Sequence, residues 1–198
     1  MAVETTKLQG QFVKRIERDF IALFNCLWYR DFPITETHPR VGRADWTIHI
    51  GLVIRQCATL LGTRALFEHG GRTDAVLRFP DDEVLAHVEW EWRQAHTDIN
   101  EIDKLLVRPD ESAFCVFIGY SSEEYLKAAL NRTKERWKNE QKTLILLLIT
   151  FGKQGGARRF KELHTYTLTR GKMKKVRGQA ALPWEVNRTK LKTVSDDN

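Results

Sequence analysis

Residues 72–93 constrain the fold more than any other stretch, because they indicate two short strands joined by a tight turn. The first largely apolar run ends at Phe79, the second begins at Val84, and the four residues between them are PDDE. Apolar runs bounded by a cluster of proline and aspartate are typical of a β-hairpin. The chain is therefore expected to contain antiparallel strands at this point.

The second strand of this hairpin carries an unusual polar face. Side chains alternate across a strand, so one face is apolar and the other carries His87, Glu89, Glu91 and Arg93. Asp74, near the start of the first strand, lies beside the two glutamates if the register allows. Three carboxylates next to a hydrophobic layer repel one another, which costs free energy. A hard divalent cation such as Mg²⁺ removes this cost. The hairpin thus predicts a metal site, and the alternative is the solvated face of an ordinary strand.

The rest of the chain divides by hydrophobic period into helices and further strands. Helices are expected at residues 7–31, 45–61, 99–107 and from 121 to about 139. Further strands are expected at residues 64–69, 113–120, 142–151 and 160–169. A glycine pair at residues 70–71 joins the strand at 64–69 to the hairpin and completes a three-strand meander. The expected fold class is α/β, with a mixed central sheet flanked by helices.

Length and cysteine content limit the class of protein. A chain of 198 residues with 42% hydrophobic residues is expected to form one domain with a substantial core. No apolar run approaches the ~20 residues that span a bilayer, and the N-terminus lacks the pattern of a secretory signal. The widely spaced Cys26, Cys57 and Cys115 favour buried free thiols over disulfides or zinc. A cytoplasmic protein without membrane contacts is expected.

Positive charge is concentrated near the C-terminus. The formal net charge is +6, and residues 151–192 contain twelve Lys or Arg against two acids. This asymmetry favours a polyanionic partner such as DNA, and the alternative is a solubilising tail. The candidate nucleic-acid-binding residues are Lys153, Arg158, Arg159, Lys161, Lys172, Lys174, Lys175 and Arg177. Within the same segment Trp184 is the candidate for base stacking, whereas the other tryptophans occupy core-like positions.

The order of elements in the middle of the chain resembles that of the PD-(D/E)XK nuclease superfamily, which includes many type II restriction enzymes. The residues that carry the resemblance are GRTDAVL at 71–77 and VEWE at 88–91. The likeness covers roughly residues 45–150. It implies a restriction-endonuclease-like core at residues 45–170, with an N-terminal helical extension at 1–44 and a basic C-terminal tail at 171–198.

This resemblance implies a divalent-metal-dependent DNA endonuclease of restriction or defence type, which hydrolyses phosphodiester bonds. Asp74 and Glu89 match the superfamily's metal-binding acids, and the backbone carbonyl of Trp90 would complete the metal shell. The implied cofactor is Mg²⁺ or Mn²⁺. Because cutting both strands usually needs two active sites, a homodimer is expected.

The sequence departs from the superfamily at Glu91, which stands where lysine is usual. Some members with glutamate at this position remain active, so Glu91 is a candidate catalytic residue. Lys104 on the following helix, or Arg93, would then supply the missing positive charge. The alternative is a catalytically inactive protein that binds nucleic acid on the same fold, and a third reading is an interaction protein without nuclease ancestry.

Two auxiliary candidates lie near these acids. His87 shares the face of Glu89, and Glu68 lies on the first strand of the meander. The literal Pro80-Asp81 pair is set aside as the superfamily motif, because it belongs to the hairpin turn and is expected to lie far from the middle of the third strand.

Overall fold

The computed structural model describes residues 2–38, 42–69, 73–95, 97, 100–107, 112–154 and 157–186. The α-helices in these ranges are α1 (Ala2–Leu27), α2 (Arg43–Leu60), α3 (Asn100–Leu106) and α4 (Leu126–Arg136). The strands are β1 (Arg64–His69), β2 (Thr73–Arg78), β3 (Val84–Gln94), β4 (Phe114–Ser122), β5 (Thr143–Gln154), β6 (Ala157–Thr169) and β7 (Lys172–Ala180). Short 3₁₀ helices follow β4 and β7, at Glu123–Tyr125 and Pro183–Glu185.

The strands form one seven-stranded mixed sheet in chain order, from β1 to β7. β1, β2 and β3 are an antiparallel meander, β3, β4 and β5 are parallel, and β6 and β7 return antiparallel. Parallel neighbours need a crossover connection, and α3 and α4 lie in the two crossovers. The prediction of an α/β fold with a mixed, helix-flanked sheet is confirmed.

Side chains of the central strands alternate between two hydrophobic clusters, one on each face of the sheet. Val116 and Ile118 of β4 belong to the cluster that includes residues of α1 and α2. Cys115 and Phe117 of the same strand belong to the cluster that includes residues of α3 and α4. The continuous apolar sequence of β4 follows from this arrangement, because both faces of the strand are covered.

Helix α1 is integrated into the core through its C-terminal half. Phe20, Phe24 and Trp28 are fully buried. The indole N–H of Trp28 donates to the carbonyl of Ala181 at 2.8 Å, and the hydroxyl of Tyr29 donates to the carbonyl of Ala180 at 2.6 Å. These bonds attach the helix to the end of β7, so the N-terminal segment covers one face of the sheet. None of the helices that the structure describes is long and apolar enough to cross a bilayer.

The main correction to the expected elements concerns the C-terminal segment. Residues 172–180 were expected to belong to a basic tail, but they form the edge strand β7, paired with β6 from Thr169–Lys172 to Glu162–Ala180. Nearly all side chains of β7 are exposed or half-buried, so its sequence lacks the apolar alternation that reveals a strand. Its place in the sheet comes from backbone pairing with β6. Residues 187–198 of the expected tail lie outside the described part of the chain.

Smaller corrections concern local packing. Trp184 packs against the core, with its ring 6.3 Å from that of Phe32, and is not part of a free tail. Cys57 and Cys115 are buried and form no disulfide, as expected, whereas Cys26 is exposed on α1. The helix expected from residue 121 begins later, because β4 continues to Ser122. The turn expected at residues 70–71 lies outside the described residues.

Candidate metal centre

The site lies where β2 and β3 part. Cross-strand pairing runs from Arg78–Val84 to Ala75–Val88 and stops there, while β3 continues to Gln94. Beyond the last pair, the carboxylate oxygen Oδ2 of Asp74 accepts a hydrogen bond of 2.7 Å from the backbone N–H of Trp90. The Asp74 side chain therefore occupies the opening between the two strands, and this bond fixes its orientation.

Three carboxylates converge at this opening. One oxygen from each of Asp74, Glu89 and Glu101 lies within 4.8 Å of the others. Asp74 comes from β2, Glu89 from β3, and Glu101 from α3, which crosses the face of the sheet that carries Glu89. The structure thus brings together the two acids chosen from the hairpin, and it adds Glu101, which the sequence alone did not single out. Glu101 was visible only as a polar residue within the expected helix at 99–107.

Lys104 reaches the same group from the next turn of α3. Its ammonium nitrogen Nζ lies 3.9 Å from Oε2 of Glu89 and forms an ion pair with Glu101. Residues three apart on a helix are neighbours on its surface, which explains how one short helix supplies both an acid and a base. Burial lowers the pKa of Lys104, but the carboxylates of Glu101, Glu89 and Asp74 outweigh it and leave that pKa raised.

Without a bound cation, burial and mutual repulsion make the ionised forms of these acids unfavourable. Glu89 is completely buried, and burial, followed by the charge of Asp74, raises the pKa of Glu89 from 4.5 to about 9. Burial is also the largest cause of the raised pKa of Asp74, opposed by the hydrogen bond from Trp90. Oxygen ligands from three carboxylates are the donors that a hard divalent cation takes. The residues present therefore fit a Mg²⁺ or Mn²⁺ ion.

Glu91 is not a member of this group, although it was expected to be. Its carboxylate oxygen Oε1 lies 3.6 Å from the guanidinium of Arg43 on α2 and accepts the backbone N–H of Arg93 at 2.9 Å. The pairing of β3 with β4 also shifts register after Glu91. The pairing is regular from Glu89 to Glu91, so the shift lies beyond both residues. The position of the Glu91 carboxylate is set by its contacts with Arg43 and Arg93.

The auxiliary candidates lie outside the carboxylate group. Glu68 is exposed and lies between two residues of β1 that pair with β2. Its backbone φ is positive, at 52°, which is uncommon for a residue other than glycine. His87 is buried in β3. Arg93 is exposed near the end of the same strand. Of the two residues proposed to replace the usual lysine charge, Lys104 is therefore the one beside the acids.

The basic candidate residues fall into two separate regions. Lys153, Arg158, Arg159 and Lys161 lie on the extension of the β5–β6 hairpin. Lys172, Lys174, Lys175 and Arg177 are exposed on the edge strand β7. β7 is four strands away from β3, which corresponds to roughly 19 Å at the usual strand spacing. The eight residues do not form one patch around the acids.

Arg158 is engaged within the protein. Its guanidinium carbon lies 4.3 Å from the ring centre of Trp92 and 4.5 Å from that of Phe151. The guanidinium also donates to the carbonyl of Trp92 at 2.8 Å, and burial lowers its pKa. These contacts give Arg158 a structural role between two aromatic rings, and its expected contact with nucleic acid stays a prediction.

Replacing Arg158 by alanine is expected to lower the free energy of unfolding by about 2 kcal/mol, because a desolvated cation–π contact and a hydrogen bond to a carbonyl are lost. The neighbouring Arg159 is the matched control. It is exposed and forms a surface ion pair with Glu185, at 3.0 Å, so Arg159→Ala is expected to change the stability by less than about 1 kcal/mol. Urea denaturation of both variants measures the difference, and equal losses would contradict the structural role.

No protein-family model matches the sequence, and no curated protein is significantly similar to it. The chemistry of the site is therefore inferred from its own residues and their arrangement.

Proposed function

We propose that the protein is a divalent-cation-dependent DNA endonuclease that hydrolyses phosphodiester bonds, of restriction or defence type. The observation that carries this proposal is the convergence of the Asp74, Glu89 and Glu101 carboxylates within 4.8 Å at the opening between β2 and β3. Such a group of acids, one of them fully buried, is stabilised by a hard cation.

The element order supports the same proposal. A helix, an antiparallel meander, a crossover helix and a strand parallel to the third are present from α2 to β4, with acids on β2 and β3. This is the order for which a restriction-endonuclease-like core was inferred from the sequence. Because fold alone does not specify function, the weight of the proposal rests on the acids.

Each residue of the site has a distinct proposed role. Asp74, Glu89 and Glu101 would hold a Mg²⁺ or Mn²⁺ ion, and the Trp90 carbonyl is a further candidate ligand. When bound, such an ion would lower the pKa of the attacking water and offset negative charge on the phosphate. The Trp90 N–H keeps the Asp74 carboxylate oriented towards this chemistry.

Lys104 is proposed to supply the positive charge that lysine at position 91 would provide in the superfamily. Its ammonium group lies beside Glu89, 3.9 Å from Oε2, although it comes from α3. Because its pKa is raised, Lys104 remains protonated and is suited to stabilise the developing charge on a phosphate oxygen. Glu91 is proposed to hold Arg43 in place at the edge of the site.

DNA binding and dimerisation are further parts of the proposal. The exposed lysines and arginine of β7, with Lys153, Arg159 and Lys161, would contact backbone phosphates. The N-terminal half of α1 is the proposed dimer contact, since Phe12 is 56% exposed there. Two copies would then cut both strands of a duplex.

Incubation of the purified protein with supercoiled plasmid tests the proposed function. Nicked or linear products are expected with Mg²⁺ or Mn²⁺ and none with EDTA, and sequencing of the ends reports any preferred site. DNA binding without cleavage in either metal would favour an inactive nucleic-acid-binding protein on the same fold. Absence of both would overturn the proposal.

The stabilisation that Mg²⁺ gives is expected to grow as the pH rises. With a pKa of about 9 in the folded state and 4.5 as the ordinary value, Glu89 holds a proton after folding that it loses on unfolding. The stability gained from protonated Glu89 is complete below pH 4.5 and is lost as the pH rises through 9. A bound cation favours the ionised form, so it restores stability mainly at high pH.

Thermal unfolding with and without Mg²⁺, at about pH 5.5 and about pH 8.5, measures this effect. The increase in melting temperature is expected to be larger at the higher pH. In Glu89→Gln, which cannot ionise, the dependence on pH should largely disappear. An equal rise in melting temperature with Mg²⁺ at both pH values would show that ion binding does not displace protons from the acids.

A further inference from the structure

A cavity of about 140 Å³ lies directly beside the carboxylate group. Asp74 lines it, together with Arg43 and Thr47 of α2. Much of its remaining wall is aromatic, from Trp46, Trp90, Trp92 and Tyr120. Asp74 borders both the cavity and the acid group, with the cavity on the face of the sheet covered by α2 and with Glu89 and Glu101 on the face crossed by α3.

We propose that this cavity receives one unstacked nucleobase of pyrimidine size from the DNA strand that is cut. The inference rests on the proposed function, and it specifies the substrate as a strand in which one nucleotide next to the scissile phosphate is unpaired or extruded. A phosphate at the acids and its base in the cavity would then belong to the same nucleotide or to adjacent ones.

The size and lining of the cavity fit such an occupant. Cavities of roughly 150 Å³ accommodate a molecule the size of benzene, so a single six-membered ring is of suitable size and a base pair is not. Aromatic walls stack on the flat face of any base. The wall is already ordered by ring contacts, since the ring centres of Trp92 and Tyr120 are 4.7 Å apart.

Tyr120, one of the aromatic residues of the wall, carries a buried hydroxyl. Tyr120 is 1% exposed, and its hydroxyl has no hydrogen-bond partner among the described residues. Leaving a buried hydroxyl unpaired is unfavourable. This oxygen has no surface open to the cavity, so the fit of a base depends on stacking on the aromatic rings and not on this hydroxyl.

The positive charge near the cavity suits a nucleotide. Arg43 lines the cavity and its side chain is 64% exposed, 3.6 Å from Glu91. An exposed guanidinium in this position is available to a phosphate of the entering strand. The cavity therefore combines a cation, which suits a phosphate, with aromatic walls, which suit the face of a base.

Binding of oligothymidylate to the full-length Glu89→Gln protein in Mg²⁺ tests the inference without cleavage of the probe. The comparison is an abasic deoxyribose-phosphate chain of the same length, and the readout is quenching of tryptophan fluorescence. Oligothymidylate is expected to bind about tenfold more tightly than the abasic chain, because base stacking on aromatic side chains is lost in the latter.

A pair of matched variants assigns this difference to the cavity. Thr47→Phe places a ring at the cavity mouth and is expected to abolish the tenfold preference. Thr59→Phe is the control, because Thr59 is also exposed on α2 and, like Thr47, donates its hydroxyl to the carbonyl four residues earlier. Thr59→Phe is expected to keep the preference.

The outcomes separate this inference from the proposed function. Equal binding of the two chains, or a preference that survives Thr47→Phe, overturns the inference, while plasmid cleavage by the wild-type protein would still support a nuclease. A preference removed only by Thr47→Phe supports the base site even if the wild-type protein cuts nothing. No binding of either chain overturns the inference, and cleavage of plasmid then decides the proposed function alone.

Discussion

Replacing Glu89 by glutamine is expected to abolish Mg²⁺-dependent DNA cleavage, with a loss on the order of 10³-fold, because one anionic ligand of the proposed cation is removed at the centre of the site. The substitution keeps the size of the side chain. Glu89 is completely buried and its pKa is raised to about 9, so a neutral side chain suits this position without a cation. The variant is therefore expected to fold and to melt no lower than the wild type in EDTA.

The measurement is the rate of plasmid cleavage, together with the melting temperature with and without Mg²⁺. Glu135→Gln is a control for the chemical change, because Glu135 is 71% exposed on α4 and forms a surface ion pair with Lys138. Its cleavage rate and its response to Mg²⁺ should equal those of the wild type. A Glu89→Gln protein that still cuts at the normal rate would exclude Glu89 from the reaction.

Glu101→Gln is expected to lower both Mg²⁺ affinity and cleavage by about 10²-fold, because losing a direct anionic ligand costs at least as much as losing a residue that only orients one. Glu91→Gln is expected to lower them by less than about tenfold, because Glu91 contacts Arg43 and not the acids. The two residues are a matched pair, with side chains 16% and 15% exposed. They differ in position, because Glu101 belongs to the carboxylate group and Glu91 is engaged by Arg43.

Titration of the melting temperature with Mg²⁺ gives the affinities, and plasmid cleavage gives the rates. Both variants leave a neutral amide in a half-buried position, so the unfolding free energy in EDTA should change by similar small amounts. The reverse ranking, with Glu91→Gln the more severe, would mean that β3 supplies both glutamates, as the hairpin sequence predicted, and that Glu101 is a surface residue of α3.

Much of the fold was predictable because it depends on local pattern. Alternation along residues 84–94 and the continuous apolar run of β4 indicate strands through side-chain burial, and the structure has strands at both places. β7 was missed because its exposed, basic sequence has no such pattern. An edge strand is held by backbone hydrogen bonds with its neighbour, and these leave little trace in side-chain hydrophobicity.

The candidate site divides in a similar way. Asp74 and Glu89 were predictable as neighbours, because a short turn fixes the register of a hairpin and only 15 residues separate the two positions. The surroundings of Arg158 were not predictable, because a basic residue in a basic segment gives no sign of the aromatic rings of Trp92 and Phe151 that enclose it. Those rings come from β3 and β5, and their approach is decided by sheet order.

By itself, the sequence determined a mixed α/β sheet and two acids on adjacent strands, because strand alternation and hairpin register are short-range properties of the chain. Only the tertiary structure decided that Glu101 and Lys104 join them, and that a cavity lined by Trp46 and Tyr120 lies alongside Asp74. The crossing of α3 over the sheet and the packing of α2 against its other face set these positions. Such packing depends on contacts between residues distant in the chain, which no local pattern records.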